Sequence, residues 1–81
     1  MWVVYFLKSI RKKWYYVGST NDLERRINEH NVGKVRSTKG YMPLTLVYTK
    51  ICISEAEARS FERRVKTQRL LKESIIRNIE E

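Results

Sequence analysis

Residues 2–30 decide the fold, and they read WVVYFLKSIRKKWYYVGSTNDLERRINEH. Apolar, aromatic and β-branched side chains run without interruption over residues 2–7, which predicts a short buried strand. A second run of this kind over residues 14–19 predicts another strand, and the polar residues 8–13 between the two predict a hairpin loop. We therefore expect the chain to begin with an antiparallel hairpin.

A helix start follows the hairpin. Asn21 is a favourable N-cap residue, and Glu24 stands three positions further on, as in a capping box. Gly33 suits the position just beyond a helix end. These residues predict a first helix that begins after Asn21 and ends near Asn31.

The second half of the chain predicts one more strand and then helices. Residues 44–53, LTLVYTKICI, have the composition of a strand. Ser54 and Glu57 form an S-x-x-E capping box, which predicts a helix start. Apolar residues then recur at helical spacing, with an interruption at residues 67–69. We expect two helices, or one bent helix, over residues 55–79.

The predicted order of elements is β-β-α-β-α-α, with a C-terminal helix at about 71–79. This order is typical of an α+β protein with a small three-stranded antiparallel sheet flanked by helices. A chain of 81 residues is long enough for one domain, so we expect residues 1–81 to form a single domain.

The charge of the chain indicates the class of its partner. Seventeen Lys and Arg residues against nine Asp and Glu residues give a net charge of +8. Such an excess in a small domain favours a polyanion, most often a nucleic acid, although a protein that is merely basic is the alternative. The loop predicted over residues 32–42 carries Lys34, Arg36 and Lys39, which suit contacts with phosphate.

The remaining composition excludes several classes of protein. A single cysteine, Cys52, excludes an internal disulfide framework and fits a reducing compartment. One histidine and no CxxC motif argue against a structural zinc site. No apolar run approaches the length of a membrane span, and the N-terminus is apolar before it is basic, unlike a signal peptide. We expect an intracellular protein that is cytoplasmic or nucleoid-associated.

Three short motifs resemble those of the GIY-YIG nuclease superfamily. They are Val3-Val4-Tyr5, Tyr16-Val17-Gly18 and the segment NDLERRINEH over residues 21–30. The resemblance extends over about residues 2–66 and is strongest to small stand-alone members, although Val3 replaces the glycine that names the first motif. It implies metal-dependent hydrolysis of a DNA phosphodiester bond.

The resemblance assigns roles to three residues of the predicted sheet. Tyr5 would activate or position the attacking water, and Tyr16 would orient the water or the phosphate. Gly18 would allow another group to approach the strand closely. The structural alternatives are a core tyrosine at Tyr5 and a bulge or strand end at Gly18. Since side chains alternate along a strand, Tyr15 should face away from Tyr16.

The resemblance also assigns Arg26, on the first helix, to the phosphate. A guanidinium binds phosphate oxygens through two donors and stays charged in the transition state. The alternative is a salt bridge between Arg26 and Asp22, four residues earlier. The neighbouring Arg25 should face solvent.

His30 and Glu62 complete the implied site. His30 lies four residues after Arg26 and would move a proton or bind phosphate, unless it only places a favourable charge at the helix end. Glu62 would hold one Mg²⁺ or Mn²⁺ ion, because these hard cations take oxygen ligands. An ordinary i,i+4 ion pair between Glu62 and Lys66 is the alternative.

Two functions of different classes remain open. The first is a DNA endonuclease, weakly specific or selective for a structure or a lesion, that serves repair or recombination. The alternative is a non-catalytic nucleic-acid-binding module of the same fold. A domain that acts only with a protein partner supplying its specificity is a third hypothesis.

Overall fold

The computed structural model describes all 81 residues and contains one three-stranded sheet and three α-helices. The elements in chain order are β1 (Trp2–Ser9), β2 (Tyr15–Thr20), α1 (Leu23–Asn31), β3 (Leu44–Cys52), α2 (Glu55–Thr67) and α3 (Arg69–Glu80). A short 3₁₀ turn, Lys39–Tyr41, precedes β3. The predicted order β-β-α-β-α-α and the α+β class are therefore confirmed.

The sheet has β1 at its centre. The strand order is β2-β1-β3, and both pairings are antiparallel. In this register Tyr5 lies opposite Gly18 on one side and opposite Thr49 on the other. Helices cover both faces of the central strand, which explains why four successive residues, 4–7, are all buried.

Alternate side chains of β1 enter two separate apolar clusters. Val4 and Phe6 face α2 and α3, whereas Tyr5 and Leu7 face the side of α1. The helical partners are Ala58, Val65 and Ile75 in the first cluster and Leu23 and Ile27 in the second. In β2, Tyr15 packs on the first cluster and Tyr16 on the second, as the alternation predicts.

The start of α1 differs from the prediction. Asp22, not Asn21, is the N-cap, and its carboxylate accepts a hydrogen bond from the Arg25 N–H at 3.2 Å. The Asp22 N–H is itself bound by the Thr20 hydroxyl at 3.0 Å, at the end of β2. This contact places the cap one residue later, so Glu24 stands too early in the helix to form the predicted capping box with Asn21.

The C-terminal half contains two helices rather than one bent helix. The Ser54 hydroxyl caps α2 by accepting from the Glu57 N–H at 3.1 Å, as predicted. Gln68 has an extended backbone with ψ of 94° and separates the two helices. The last helix therefore begins at Arg69, two residues before the predicted start. None of the three helices has both the length and the apolar character required to cross a membrane.

Candidate active site

A buried chain of hydrogen bonds links Tyr5 to the loop after α1. The Tyr5 hydroxyl lies 2.9 Å from Nε2 of His30, and Nδ1 of the same ring lies 2.8 Å from the Thr38 hydroxyl. The Thr38 hydroxyl donates to the Val35 carbonyl at 3.3 Å, so it accepts from His30. This network assigns the proton of the neutral ring to Nδ1 and leaves Nε2 to accept from Tyr5.

Burial keeps the His30 imidazole and the Tyr5 phenol neutral near pH 7. It lowers the pKa of His30 to about 4, and the nearby Arg26 charge acts in the same direction. Burial also raises the pKa of Tyr5 to about 12, although Arg26 opposes this shift. His30 is fully buried, so it is not a solvated charge at the helix end. Tyr5 is a buried core residue, and its hydroxyl also contacts His30. The structural and the functional interpretation of Tyr5 are therefore compatible.

Arg26 faces the tyrosines from α1. Partial burial acts to lower its pKa, but the Glu29 carboxylate and the Tyr5 hydroxyl outweigh this effect and raise the pKa. Its guanidinium donates to Glu29 at 3.1 Å. The predicted alternative partner, Asp22, instead pairs with Arg25 at 3.4 Å. The side chain of Arg25 is 57% exposed against 35% for Arg26, as the helix phase predicts.

Glu62 approaches the same group of residues from α2. Its carboxylate accepts from the Ser19 hydroxyl at 2.5 Å and pairs with the Lys66 ammonium at 2.6 Å. The Lys66 ammonium lies 5.9 Å from the centre of the Tyr16 ring. The Glu62 charge acts, with burial as the larger cause, to raise the pKa of Tyr5. The i,i+4 pair with Lys66 is therefore present, beside the tyrosines.

Gly18 provides the space that the Tyr5 ring occupies. A Cβ atom at position 18 would lie 2.5 Å from the Tyr5 hydroxyl oxygen and 2.7 Å from the adjoining ring carbon. The residue is neither a bulge nor a strand end, since it pairs regularly with Tyr5 within β2. The group whose close approach Gly18 permits is therefore the side chain of Tyr5.

The three loop cations lie on the surface between α1 and β3. Lys34, Arg36 and Lys39 are exposed, whereas Val35 and Thr38 between them are buried. Because Thr38 binds His30, the loop is held beside the group formed by Tyr5 and Arg26. The loop that binds His30 through Thr38 therefore also carries three exposed positive charges.

Three residues with contacts to the site were not predicted from the sequence. Glu29 holds Arg26, and its i,i+3 spacing is a signal that could have indicated the pair. Ser19 binds Glu62, and Thr38 binds His30. No local pattern identifies these last two, because both contacts join distant parts of the chain.

Comparison with known proteins assigns the chain to a family. The model of the GIY-YIG catalytic domain matches residues 1–73. The chain belongs to the GIY-YIG family. This family gives its name to a nuclease superfamily.

The chain is similar to UPF0213 proteins of several organisms. A UPF0213 protein of Halobacterium salinarum is 43% identical over 53 residues, covering 64% of this chain and 69% of its own length. A UPF0213 protein of Oceanobacillus iheyensis is 39% identical over 64 residues, covering 78% and 73%. The solution NMR structure of the UPF0213 protein BH0048 from Bacillus halodurans superposes with a TM-score of 0.57 at 37% identity, covering 94% and 83%.

The carboxylate of Glu62 suits a hydrated divalent cation as its single protein ligand. The chain holds no cluster of three or more His, Cys, Asp or Glu side chains that could form a site from protein ligands alone. Mg²⁺ commonly keeps several waters and uses one or two carboxylates with substrate phosphate, so one carboxylate suffices. The side chain of Glu62 is 18% exposed, and each carboxylate oxygen accepts one hydrogen bond, from Ser19 or from Lys66, so each keeps a lone pair for such an ion. An ion held by Glu62 would compete with the Lys66 ammonium for the carboxylate.

Replacing Gly18 by Ala should destabilise this GIY-YIG domain. The new Cβ would force the buried Tyr5 ring away from His30, and overpacking of this kind costs about 1–3 kcal/mol. Urea unfolding followed by circular dichroism measures the change. Gly40→Ala is the matched control, because no atom beyond the neighbouring residues of the chain lies within 4 Å of the added Cβ. Equal effects of the two substitutions would contradict the packing of Tyr5 against Gly18.

The neutral state of His30 should make stability depend on pH. The pKa is about 4 in the folded protein and about 6.5 in the unfolded chain, so only the unfolded chain binds this proton between those values. The contribution of His30 is complete above about pH 6.5 and is lost as the pH falls towards 4. Urea midpoints measured across this window should fall more steeply in the wild type than in His30→Asn. Parallel slopes would contradict a buried neutral ring.

Proposed function

We propose that this protein is a metal-dependent DNA endonuclease that hydrolyses phosphodiester bonds. The observation that carries the proposal is the Tyr5–His30 hydrogen bond, which lies beside the charged guanidinium of Arg26. The negative charge of Glu62 is also close enough to raise the pKa of Tyr5. These are the groups that hydrolysis of a phosphodiester requires: a path for a proton, a fixed positive charge for the phosphate and an oxygen ligand for a cation.

Arg26 is proposed to bind the scissile phosphate. Its guanidinium is partly exposed, stays charged at any relevant pH and is held by Glu29 at 3.1 Å. A donor that is already oriented stabilises negative charge on the phosphate in the transition state without reorganising.

Tyr5, Tyr16 and His30 are proposed to handle the attacking water. The Tyr5 hydroxyl accepts a proton from the water while its own proton passes to Nε2 of His30, 2.9 Å away. The His30 ring becomes a cation in this step, and Thr38 keeps it in the required orientation. The ring of Tyr16 lies with its centre 6.4 Å from that of Tyr5 and orients the water or the phosphate.

Glu62 is proposed to hold one Mg²⁺ or Mn²⁺ ion. Such an ion polarises the phosphate and stabilises the leaving oxygen. Ser19 fixes the carboxylate through its hydroxyl, so the oxygen ligand is oriented before any ion binds.

DNA is proposed as the substrate, bound through its phosphate backbone. Gly18 shapes the site by receiving Tyr5, and Lys34, Arg36 and Lys39 extend the positive surface along the loop. We further propose that residues 1–81 act as one domain inside the cell, cytoplasmic or nucleoid-associated, in repair or recombination. Selectivity for a DNA structure or a lesion, alone or through a protein partner, belongs to this proposal.

The decisive experiment incubates the purified protein with single-stranded, duplex, flapped and branched DNA. Each substrate is tested with Mg²⁺, with Mn²⁺ and with a chelator, and the products are separated on denaturing gels. We expect cleavage of at least one DNA form with a divalent cation and none with the chelator. Intact DNA under every condition would overturn the proposal.

The second candidate is a module that binds nucleic acid without cutting it. The Glu62–Lys66 ion pair favours it, because Lys66 already neutralises the carboxylate that would hold the metal. The two candidates share the same cationic surface, so DNA binding alone does not separate them. Metal-dependent cleavage that disappears when Glu62 is changed excludes the module.

A further inference from the structure

Three aromatic rings lie in a row that leads from the hairpin loop to the site. The rings of Trp14 and Tyr41 stack in parallel, with centres 3.7 Å apart and an angle of 7°. Trp14 also lies 6.3 Å from Tyr16, whose ring centre is 5.0 Å from that of His30. All three rings of this aromatic row, Tyr41, Trp14 and Tyr16, are only partly buried.

The buried Ser9 links the hairpin loop after β1 to the turn that contains Tyr41. The Ser9 hydroxyl donates to the Tyr41 carbonyl at 2.7 Å and accepts from the N–H groups of Arg11 and Lys12. These contacts hold the loop after β1 against the turn before β3. The row is therefore formed before a ligand arrives, which lowers the entropic cost of binding.

Positive charges accompany the aromatic row along its length. The Lys12 ammonium lies 5.0 Å from the centre of the Tyr41 ring, and the Lys66 ammonium lies 5.9 Å from that of Tyr16. Lys39 is exposed two residues before Tyr41. Neither Lys12 nor Lys39 takes part in any of the salt bridges, so both charges are available to a phosphate backbone.

We propose that the aromatic row and its lysines bind unpaired bases, so that the substrates of this protein contain single-stranded DNA leading into the site. Trp14 and Tyr41 stack on each other, so each offers a base only its outer face and its edges. Such a surface beside cations suits single strands, because every base has a π-face and every linkage carries a phosphate. A duplex keeps its bases stacked on one another and would leave the row without a role. This proposal rests on the proposed function, because the strand on the row is the strand that reaches Arg26.

Tryptophan fluorescence tests the contact directly. The chain has two tryptophans, so Trp2→Phe leaves Trp14 as the only reporter. This variant is titrated, with a chelator present, with an oligothymidylate, with an abasic strand of equal length and with a duplex. We expect strong quenching by the oligothymidylate and little by the other two. Equal quenching by the abasic strand would overturn the proposal, since that strand offers the same phosphates without bases.

Substitutions measure the contribution of the rings. Trp14→Leu and Tyr41→Leu should each weaken binding of the oligothymidylate by about 5- to 150-fold, the range expected for one base stacked on one ring. Duplex affinity should stay unchanged, which also shows that the variants are folded. Trp14→Phe and Tyr41→Trp, which keep a ring, should retain most of the affinity. Trp2→Leu is the matched control, because Trp2 packs on the opposite face of the sheet.

The two proposals fail in different ways. Quenching of Trp14 by single strands without cleavage of any DNA would retain the binding site and overturn the nuclease. Cleavage with unchanged strand preference in both leucine variants would retain the nuclease and overturn the binding site.

Discussion

Glu62→Gln should abolish DNA cleavage and leave DNA binding equal or slightly tighter. Glutamine keeps the shape of the side chain and can still accept from Ser19, but it lacks the charge that holds a divalent cation. Loss of one negative charge near the backbone favours binding of the phosphate. Cleavage rates with Mg²⁺ and affinities measured with a chelator separate the two effects.

Glu55→Gln is the matched control for this substitution. Glu55 lies on the same helix and pairs with Arg59 at the surface, much as Glu62 pairs with Lys66. Its replacement removes one carboxylate from α2 without touching the proposed metal ligand, so cleavage should continue at the wild-type rate. Undiminished cleavage by Glu62→Gln would remove Glu62 from the metal site.

Arg26→Ala should slow cleavage by a factor on the order of 10²–10³ with a much smaller effect on DNA affinity. This magnitude is typical for the loss of one oriented donor to charge that develops in a transition state. Single-turnover rates at saturating protein measure the chemical step, and affinity is measured separately without metal. A loss confined to affinity would indicate that Arg26 binds the ground state alone.

Arg25→Ala provides the comparison within the same helix turn. Arg25 is more exposed and pairs with Asp22 and Glu29, away from the tyrosines. Its removal leaves Glu29 to hold Arg26, so the rate should change little. Equal losses for the two substitutions would mean that both arginines act only as general positive charge.

The order of strands and helices could be predicted because it depends on local sequence patterns. The apolar run at residues 2–7 is long enough for a central strand and too short for a helix of ordinary length, which placed β1 correctly. The Ser54 cap and the interruption near Gln68 marked the helix boundaries. Each signal depends on neighbours in the sequence, so no tertiary information was needed.

The start of α1 could not be settled in the same way. Asn21 and Asp22 are both good caps, and the choice between them depends on Thr20, which binds the Asp22 N–H from the end of a paired strand. The register of that strand is a property of the sheet. Sequence patterns alone therefore placed the cap one residue early.

The contacts that arrange the candidate site were also beyond local patterns. Glu62 and Ser19 are 43 residues apart in the chain, and their hydrogen bond exists only because α2 packs against β2. Thr38 comes from a loop without regular spacing, yet it sets the tautomer of His30. The residues of the site could be named from a family resemblance, whereas the residues that orient them required the folded chain.

The Lys66 ammonium is the counter-ion of Glu62, the proposed metal ligand. Because Lys66 pairs with Glu62 at 2.6 Å, the carboxylate is neutralised without a metal ion. Removal of a metal ion should therefore not unfold the domain. Binding of Mg²⁺ at Glu62 would then replace a singly charged ammonium by a doubly charged ion. Proteins whose folds depend on metal unfold in chelators, since their binding free energy is also folding free energy. This chain should instead melt at the same temperature with and without a chelator, and a metal-depleted preparation should stay folded and regain DNA cleavage when the ion is added.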